Sequence, residues 1–184
     1  MKKILMILLL LGSFPIYASS VSYNIGYMSD YWYRGVFQSE SAVSFGADVD
    51  TGNFYVGTWM ADVDQGIEMD VYAGTTFKIF GFDSYAGVTG YYYSDNFDSD
   101  YEEFNTGLSY GPISYDYSVG DYKTATEQDY SWSEVTARIT RNLSFSYGAW
   151  GKDLKGSVTK VNYDITWHDF DVGVEVGKND SDST

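Results

Sequence analysis

Cysteine is absent from this chain of 184 residues, histidine occurs once and proline twice. Without thiols there is no disulfide framework and no thiolate metal site. A single imidazole, His168, cannot build a zinc site with the usual ligand sets. Basic residues are scarce as well. Eleven Lys and Arg stand against 26 Asp and Glu, a formal net charge of −15. Phosphate backbones are bound by clustered cations, so nucleic acid is excluded as a partner. Past Leu11 there is no long apolar run, and no stretch repeats apolar residues at the 3.6-residue period of a helix.

What is plentiful points to strands. Aromatics make up 19% of the chain, Tyr alone accounts for 19 residues, and Gly for another 19. Aromatic residues favour a pleated surface, and glycines punctuate it with turns.

The N-terminus reads MKKILMILLLLGSFPIYASS. Lys2 and Lys3 precede an apolar run from Ile4 to Leu11, and small residues follow at Ala18, Ser19 and Ser20. This order is that of a secretory signal peptide, residues 1–20, with cleavage after Ala18 or Ser20. The run is too short for a spanning helix, which needs about 20 apolar residues. Removing Lys2 and Lys3 takes the formal charge from −15 to −17. Residues 21–184 are then one exported domain.

From Val21 the chain breaks into short segments with a two-residue period. Ile67, Met69, Val71 and Ala73 alternate with Glu68, Asp70, Tyr72 and Gly74; Val161, Tyr163, Ile165 and Trp167 alternate with Lys160, Asn162, Asp164 and Thr166. Eleven such segments can be counted, most near the ~9–11 residues that cross a bilayer as a tilted strand. NFYVGTWMADV is apolar on both faces and hard to phase. Connections alternate in length. The first is read as a long link through Glu40, followed by the tight DTGN, then DVDQG, FGF, SDNFDSD, GP, KTATEQD, RN, KDLKG and HD.

Loop length sorted by parity fits an antiparallel meander in a membrane wall, with short turns on the periplasmic side. The fold expected is an all-β, antiparallel, up-and-down transmembrane β-barrel in the bacterial outer membrane. It closes every backbone hydrogen bond without leaving an edge in lipid. Apolar positions would meet lipid and lipopolysaccharide. Asp48, Glu68, Asp70, Asp116, Glu134, Arg138, Lys160 and Asp164 would line the lumen, a net acidic set. Tyr91 to Tyr93, Tyr110, Tyr122, Tyr130, Trp132 and Trp167 fall near segment ends, as interfacial girdles do; the other reading is cross-strand packing.

Bacterial single-chain barrels have an even number of strands. Eleven visible strands therefore imply about 12 in the closed wall, with the closing C-terminal strand missing from this chain. The other reading is that two strands are merged between Val21 and Val49.

SDYWYRGVFQSE, from Ser29 to Glu40, resembles the signature of the TorF-like family of porins, SDY-x-x-RG-x-x-QS. Asp30, Tyr31, Arg34, Gly35, Gln38 and Ser39 match it, and GNFYVGTWMADVD, Gly52 to Asp64, is similar to that family's second block. The resemblance implies an outer-membrane barrel. From the residues themselves, Arg34 is either a lumen cation paired with Asp30 or another inward carboxylate, or it fixes a bend with Asp30 where the first strand leaves the membrane.

No enzyme chemistry is legible. His168 sits in a tight turn, no pair of carboxylates is positioned as acid and base, and no glycine-rich phosphate loop is present, so no catalytic residue, metal or cofactor is expected. DNFDSD, Asp95 to Asp100, lacks the order and twelfth-position Glu of a calcium loop. It reads as a solvated acidic loop, with weak divalent-ion binding between lipopolysaccharide phosphates as the other reading. The function expected is a porin passing small solutes, with cation preference. Its rivals are a non-conducting barrel serving as adhesin or scaffold, and a soluble exported β-sandwich. Composition and pattern do not set an oligomeric state.

Overall fold

The computed structural model describes residues 20–123, 127–168 and 170–180. The signal-peptide reading thus lies outside the described residues, except for Ser20, which opens the first strand. Eleven strands follow: β1 (Ser20–Tyr33), β2 (Val36–Asp50), β3 (Phe54–Asp62), β4 (Ile67–Ile79), β5 (Phe82–Tyr93), β6 (Tyr101–Tyr110), β7 (Ile113–Lys123), β8 (Glu127–Arg138), β9 (Leu143–Lys152), β10 (Ser157–Trp167) and β11 (Phe170–Asn179). Each pairs antiparallel with its neighbours in sequence, giving one sheet in the order β1 to β11. β1 and β11 are its two edges, and no ladder joins them among the described residues.

Turn chemistry sets the hairpins. Phe80 and Gly81 both have positive φ, as do Arg34 and Gly35. Two consecutive left-handed residues make the primed two-residue turn whose twist suits a hairpin. At one end of the sheet the connections are 51–53, 80–81, 111–112, 139–142 and 168–169. At the other end lie 34–35, 63–66, 94–100 and 153–156.

The first of these corrects an expectation. No long link runs through Glu40. β1 and β2 are the two longest strands, at 14 and 15 residues, and only Arg34 and Gly35 join them. Nor is a further strand hidden between Val21 and Val49. Alternation fades after Tyr27 because the hairpin tip is no longer part of a two-sided wall. A register shift at Tyr31/Trp32 and a left-handed Ser41 (φ 63°) bend it. Bulges add twist and re-aim side chains, and here they turn the tip across the sheet.

The two faces differ sharply. One carries Ser44, Glu68, Glu103, Ser118 and Ser146, all buried. The other carries Ile25, Phe45, Val71, Phe104, Val135, Val161 and Val174, all exposed, with Ile25 at 80% and Val174 at 61%. The polar face is therefore the inner one of a curled sheet. β3 reads as apolar on both faces for a local reason. Phe54, Val56 and Met60 point outward, while Trp59 and Ala61 point inward to meet the hairpin tip.

Inward rings lie against glycines on neighbouring strands. A Cβ at Gly148 would overlap the Trp132 ring, and one at Gly107 would overlap Tyr85. At these places a large ring fits inside the curl because the residue beside it has no side chain.

Candidate functional site

Arg34 sits at the tip of the β1–β2 hairpin and crosses the inside of the sheet to β6. Its Nη1 and Nη2 donate to the two oxygens of Glu103, at 2.6 and 2.9 Å. Nη2 also donates to Ser118 Oγ on β7 at 2.9 Å. The planar guanidinium suits such a fork, which a lysine could not reproduce. Its carbon stands 4.7 Å from the centre of the Tyr33 ring, 5.8 Å from Trp132 and 5.7 Å from Trp150.

Glu103 is buried, at 3% exposure. Besides the guanidinium it accepts hydrogen bonds from Tyr91 Oη and Tyr130 Oη, each at 2.9 Å, and from Asn105 Nδ2 at 2.7 Å. The Tyr33 and Tyr91 hydroxyls are 2.7 Å apart, and since Tyr91 gives its proton to Glu103, Tyr33 donates to Tyr91. A carboxylate removed from water is stable only when a countercharge and donors replace its hydration, and Glu103 has both.

The tip backbone is tied down too. Trp150 Nε1 on β9 donates to the Arg34 carbonyl at 3.1 Å, and Asn179 Nδ2 on β11 donates to the Gly35 carbonyl at 2.5 Å. Around the tip the buried apolar residues gather in two groups. Tyr31, Ala42, Ala61 and Val63 form one; Tyr91, Tyr101 and Tyr130 form the other. The tip thus fills one mouth of the curled sheet, the mouth bearing the 63–66, 94–100 and 153–156 loops.

The residues of SDYWYRGVFQSE divide by role. Tyr31 is buried against Trp59, with ring centres 5.6 Å apart. Arg34 and Gly35 make the turn and the cross-sheet bonds. Gln38 and Ser39 are buried; Gln38 Nε2 donates to Val36 O, and the Gln38 carbonyl accepts from Asp64 N–H. Asp30 is not the partner of Arg34. It is exposed and accepts from Ser29 Oγ.

The eight residues assigned to the lumen all lie on inward positions of their strands, but their surroundings differ. Asp48 accepts from Tyr72 Oη at 2.5 Å, and Asp116 from Tyr85 Oη at 2.9 Å. Lys160 stands 3.4 Å from Glu134 and 3.9 Å from Glu175. Arg138 and Asp164 line a cavity at the tight-turn end. Glu68 and Asp70 sit under the hairpin tip near Tyr31 and Tyr93. Both Glu68 oxygens and Oδ1 of Asp70 are buried beside the Tyr31 and Tyr93 hydroxyls, none of them in a well-formed hydrogen bond among the described residues.

Sequence reasoning missed Glu103, although its parity with Asn105 and Gly107 marks it as inward. It also placed too many aromatics in a girdle. Tyr110 and Trp167 are outward and exposed, but Tyr91, Tyr93, Tyr122, Tyr130 and Trp132 turn inward onto the hairpin tip. In the 94–100 loop the carboxylates diverge. Asp98 accepts from Tyr122 Oη and Ser99 N–H, whereas Asp100 accepts from Tyr93 N–H. Among the described residues no three His, Cys, Asp or Glu converge as metal ligands.

Residues 15–183 match the family described as "Bacterial protein of unknown function (Gcw_chp)". The chain belongs to this family. The match covers the hairpin tip and every strand, so the whole sheet is the Gcw_chp unit. No curated protein matches the chain, and no solved structure does.

Proposed function

We propose that this Gcw_chp protein is an outer-membrane β-barrel of the porin type, passing small solutes through a lumen narrowed by its own first hairpin. The observation that carries the reading is the outward face. From Ile25 on β1 to Val176 on β11 it presents an unbroken succession of exposed apolar side chains, far beyond the few hundred Å² tolerated in water. Lipid is the solvent that suits such a surface, with the buried polar face turned to an aqueous lumen. Closing the wall between the β1 and β11 edges would leave no backbone group unpaired in lipid. The resemblance of SDYWYRGVFQSE to the TorF-like porins agrees, as does the export signal read at residues 1–20.

A wall of eleven strands lies between those whose side chains fill the interior and those with open channels. Cavities of about 610 and 440 Å³ remain inside, lined by Ser84, Asp116 and Thr89 among others. The charged lining of these cavities is balanced, Asp83, Asp116 and Glu134 against Arg34, Lys78 and Lys160, but elsewhere on the inward positions Asp48, Asp164 and Glu175 face Arg138 alone, so cations are the preferred ions. The test is current through planar bilayers containing the refolded protein under a salt gradient. A reversal potential of cation-selective sign is expected, and an anion-selective one overturns the assignment. The filled mouth favours one second reading, a non-conducting barrel, for which no current would flow through protein that migrates as folded on an unheated denaturing gel.

A further inference from the structure

Beneath the Arg34–Glu103 tie, the cavity of about 440 Å³ is paved along one wall by three phenol rings. Tyr72 of β4 leans across β3 to Asp48 on β2, and Tyr85 of β5 leans across β6 to Asp116 on β7. Between them Tyr55 of β3 leans across β4 until its hydroxyl lies against Gly87 on β5. A Cβ at Gly57, Gly74 or Gly107 would overlap the rings of Tyr72, Tyr55 and Tyr85 in turn. Each ring therefore rests on bare backbone, and all three are half-buried and border the cavity. Among the described residues no other aromatic stacks on them, and the Arg34 guanidinium lies over Tyr33, Trp132 and Trp150 instead.

The opposite side is polar. Its charged lining is balanced, Asp116 and Glu134 against Arg34 and Lys160, so no one sign of charge is demanded of a ligand. Hydrogen-bonding capacity is in surplus. An ionised carboxylate has about four acceptor positions, and Tyr85 occupies one at Asp116. Lys160, 3.4 Å from Glu134, carries more protons than that contact uses. A wholly apolar solute would strip these groups of water and return nothing. The ligand that fits has a flat C–H face for the rings and hydroxyls around its rim. C–H bonds are slightly positive and settle on the negative face of an aromatic ring.

We propose that this cavity is a subsite for a pyranose sugar, stacked on Tyr55, Tyr72 and Tyr85 and hydrogen-bonded by Asp116, Glu134 and Lys160. It deepens the porin reading by naming a solute class, and rests on that reading's barrel but not on its conductance.

The experiment is a saturation-transfer NMR titration of protein refolded in a detergent without a sugar headgroup. Methyl β-D-glucopyranoside, a closed ring, is compared with sorbitol, which carries its hydroxyls on an open chain, and with choline. The glucoside should bind at least about tenfold more tightly than either. Tyr55→Phe, which keeps the ring, should retain that affinity, and Tyr55→Leu should lose about tenfold. Asp116→Asn should lose a similar factor, since a charged acceptor makes the stronger hydrogen bond. Each variant is first checked for heat-modifiable migration. If Tyr55→Leu does not fold, Asp116→Asn and the sorbitol comparison on the unaltered protein decide. Equal binding of glucoside and sorbitol, tighter binding of choline, no saturable glucoside binding, or unchanged affinity in a folded Tyr55→Leu overturns the inference. The titration reads no current. Sugar binding in a barrel that does not conduct would sink the porin reading and leave the subsite, and conductance without sugar binding would do the reverse.

Discussion

Glu103 owes its buried charge to Arg34. Truncating the cation leaves a carboxylate in a dry site with only phenol and amide donors, and breaking a buried pair in this way costs about 3–5 kcal/mol. Arg34→Ala should therefore lower unfolding stability by that order in urea titrations of the refolded protein. Arg34→Lys should recover only part of it, because an ammonium cannot make the two-pronged contact. Asp98 offers a pH test at the same scale. Partial burial pushes its carboxyl above the usual range, outweighing the Ser99 N–H that pulls it down. A raised folded pKa means the site favours the protonated form. Its contribution is present below the unfolded value of about 3.9 and is lost as pH rises through the folded one. Melting curves of wild type and Asp98→Asn should thus diverge with rising pH, the wild type falling behind. A constant offset between about pH 3 and pH 7 would contradict this.

The β1–β2 hairpin is the element on which the mouth depends. Gly35 has φ +81°, and a Cβ there would run into Val158. Gly35→Ala should strain the turn by about 1–3 kcal/mol and lift the tip while leaving the wall paired. The readout is stronger quenching of tryptophan fluorescence by iodide, since Trp150 loses its cover, with unchanged far-ultraviolet dichroism. On the porin reading, the same lifting should raise single-channel conductance, because the tip would no longer narrow the lumen. This element was also the least legible in the sequence. From β4 to β11 two-residue alternation located each strand, because lipid-like exposure on one face and burial on the other impose it residue by residue. In Tyr31–Trp32–Tyr33 and Val36–Phe37–Gln38 that pressure is gone. The tip is enclosed by other strands, so its side chains obey packing. Arg34-Gly35 was visible as a dipeptide, but its being a turn required knowing that the flanking residues still pair.

For the molecule as a whole, the proposed barrel makes lipid the solvent of the apolar exterior. The refolded mature protein should need detergent or bilayer to stay dispersed and should migrate differently before and after boiling. A monodisperse, detergent-free species by light scattering would argue against the barrel. Sequence alone reached the meander and its eleven strands, since those follow from period and parity. It could not reach the Arg34–Glu103 tie or the Tyr91–Tyr101–Tyr130 cluster. These depend on how far the sheet curls, which brings residues 69 positions apart into contact, and no local pattern encodes that distance.

Every ladder in this sheet joins strands adjacent along the chain, so the wall can zip up hairpin by hairpin at small loop-closure cost. The tip is different. Its bonds to β6, β7, β9 and β11 span 69, 84, 116 and 144 residues. The partners on β9 and β11, Trp150 and Asn179, are in place only when the last strands have arrived. Seating of the first hairpin is consequently the final step of assembly, and a protease that cuts at Arg34 would distinguish finished molecules from those still under way.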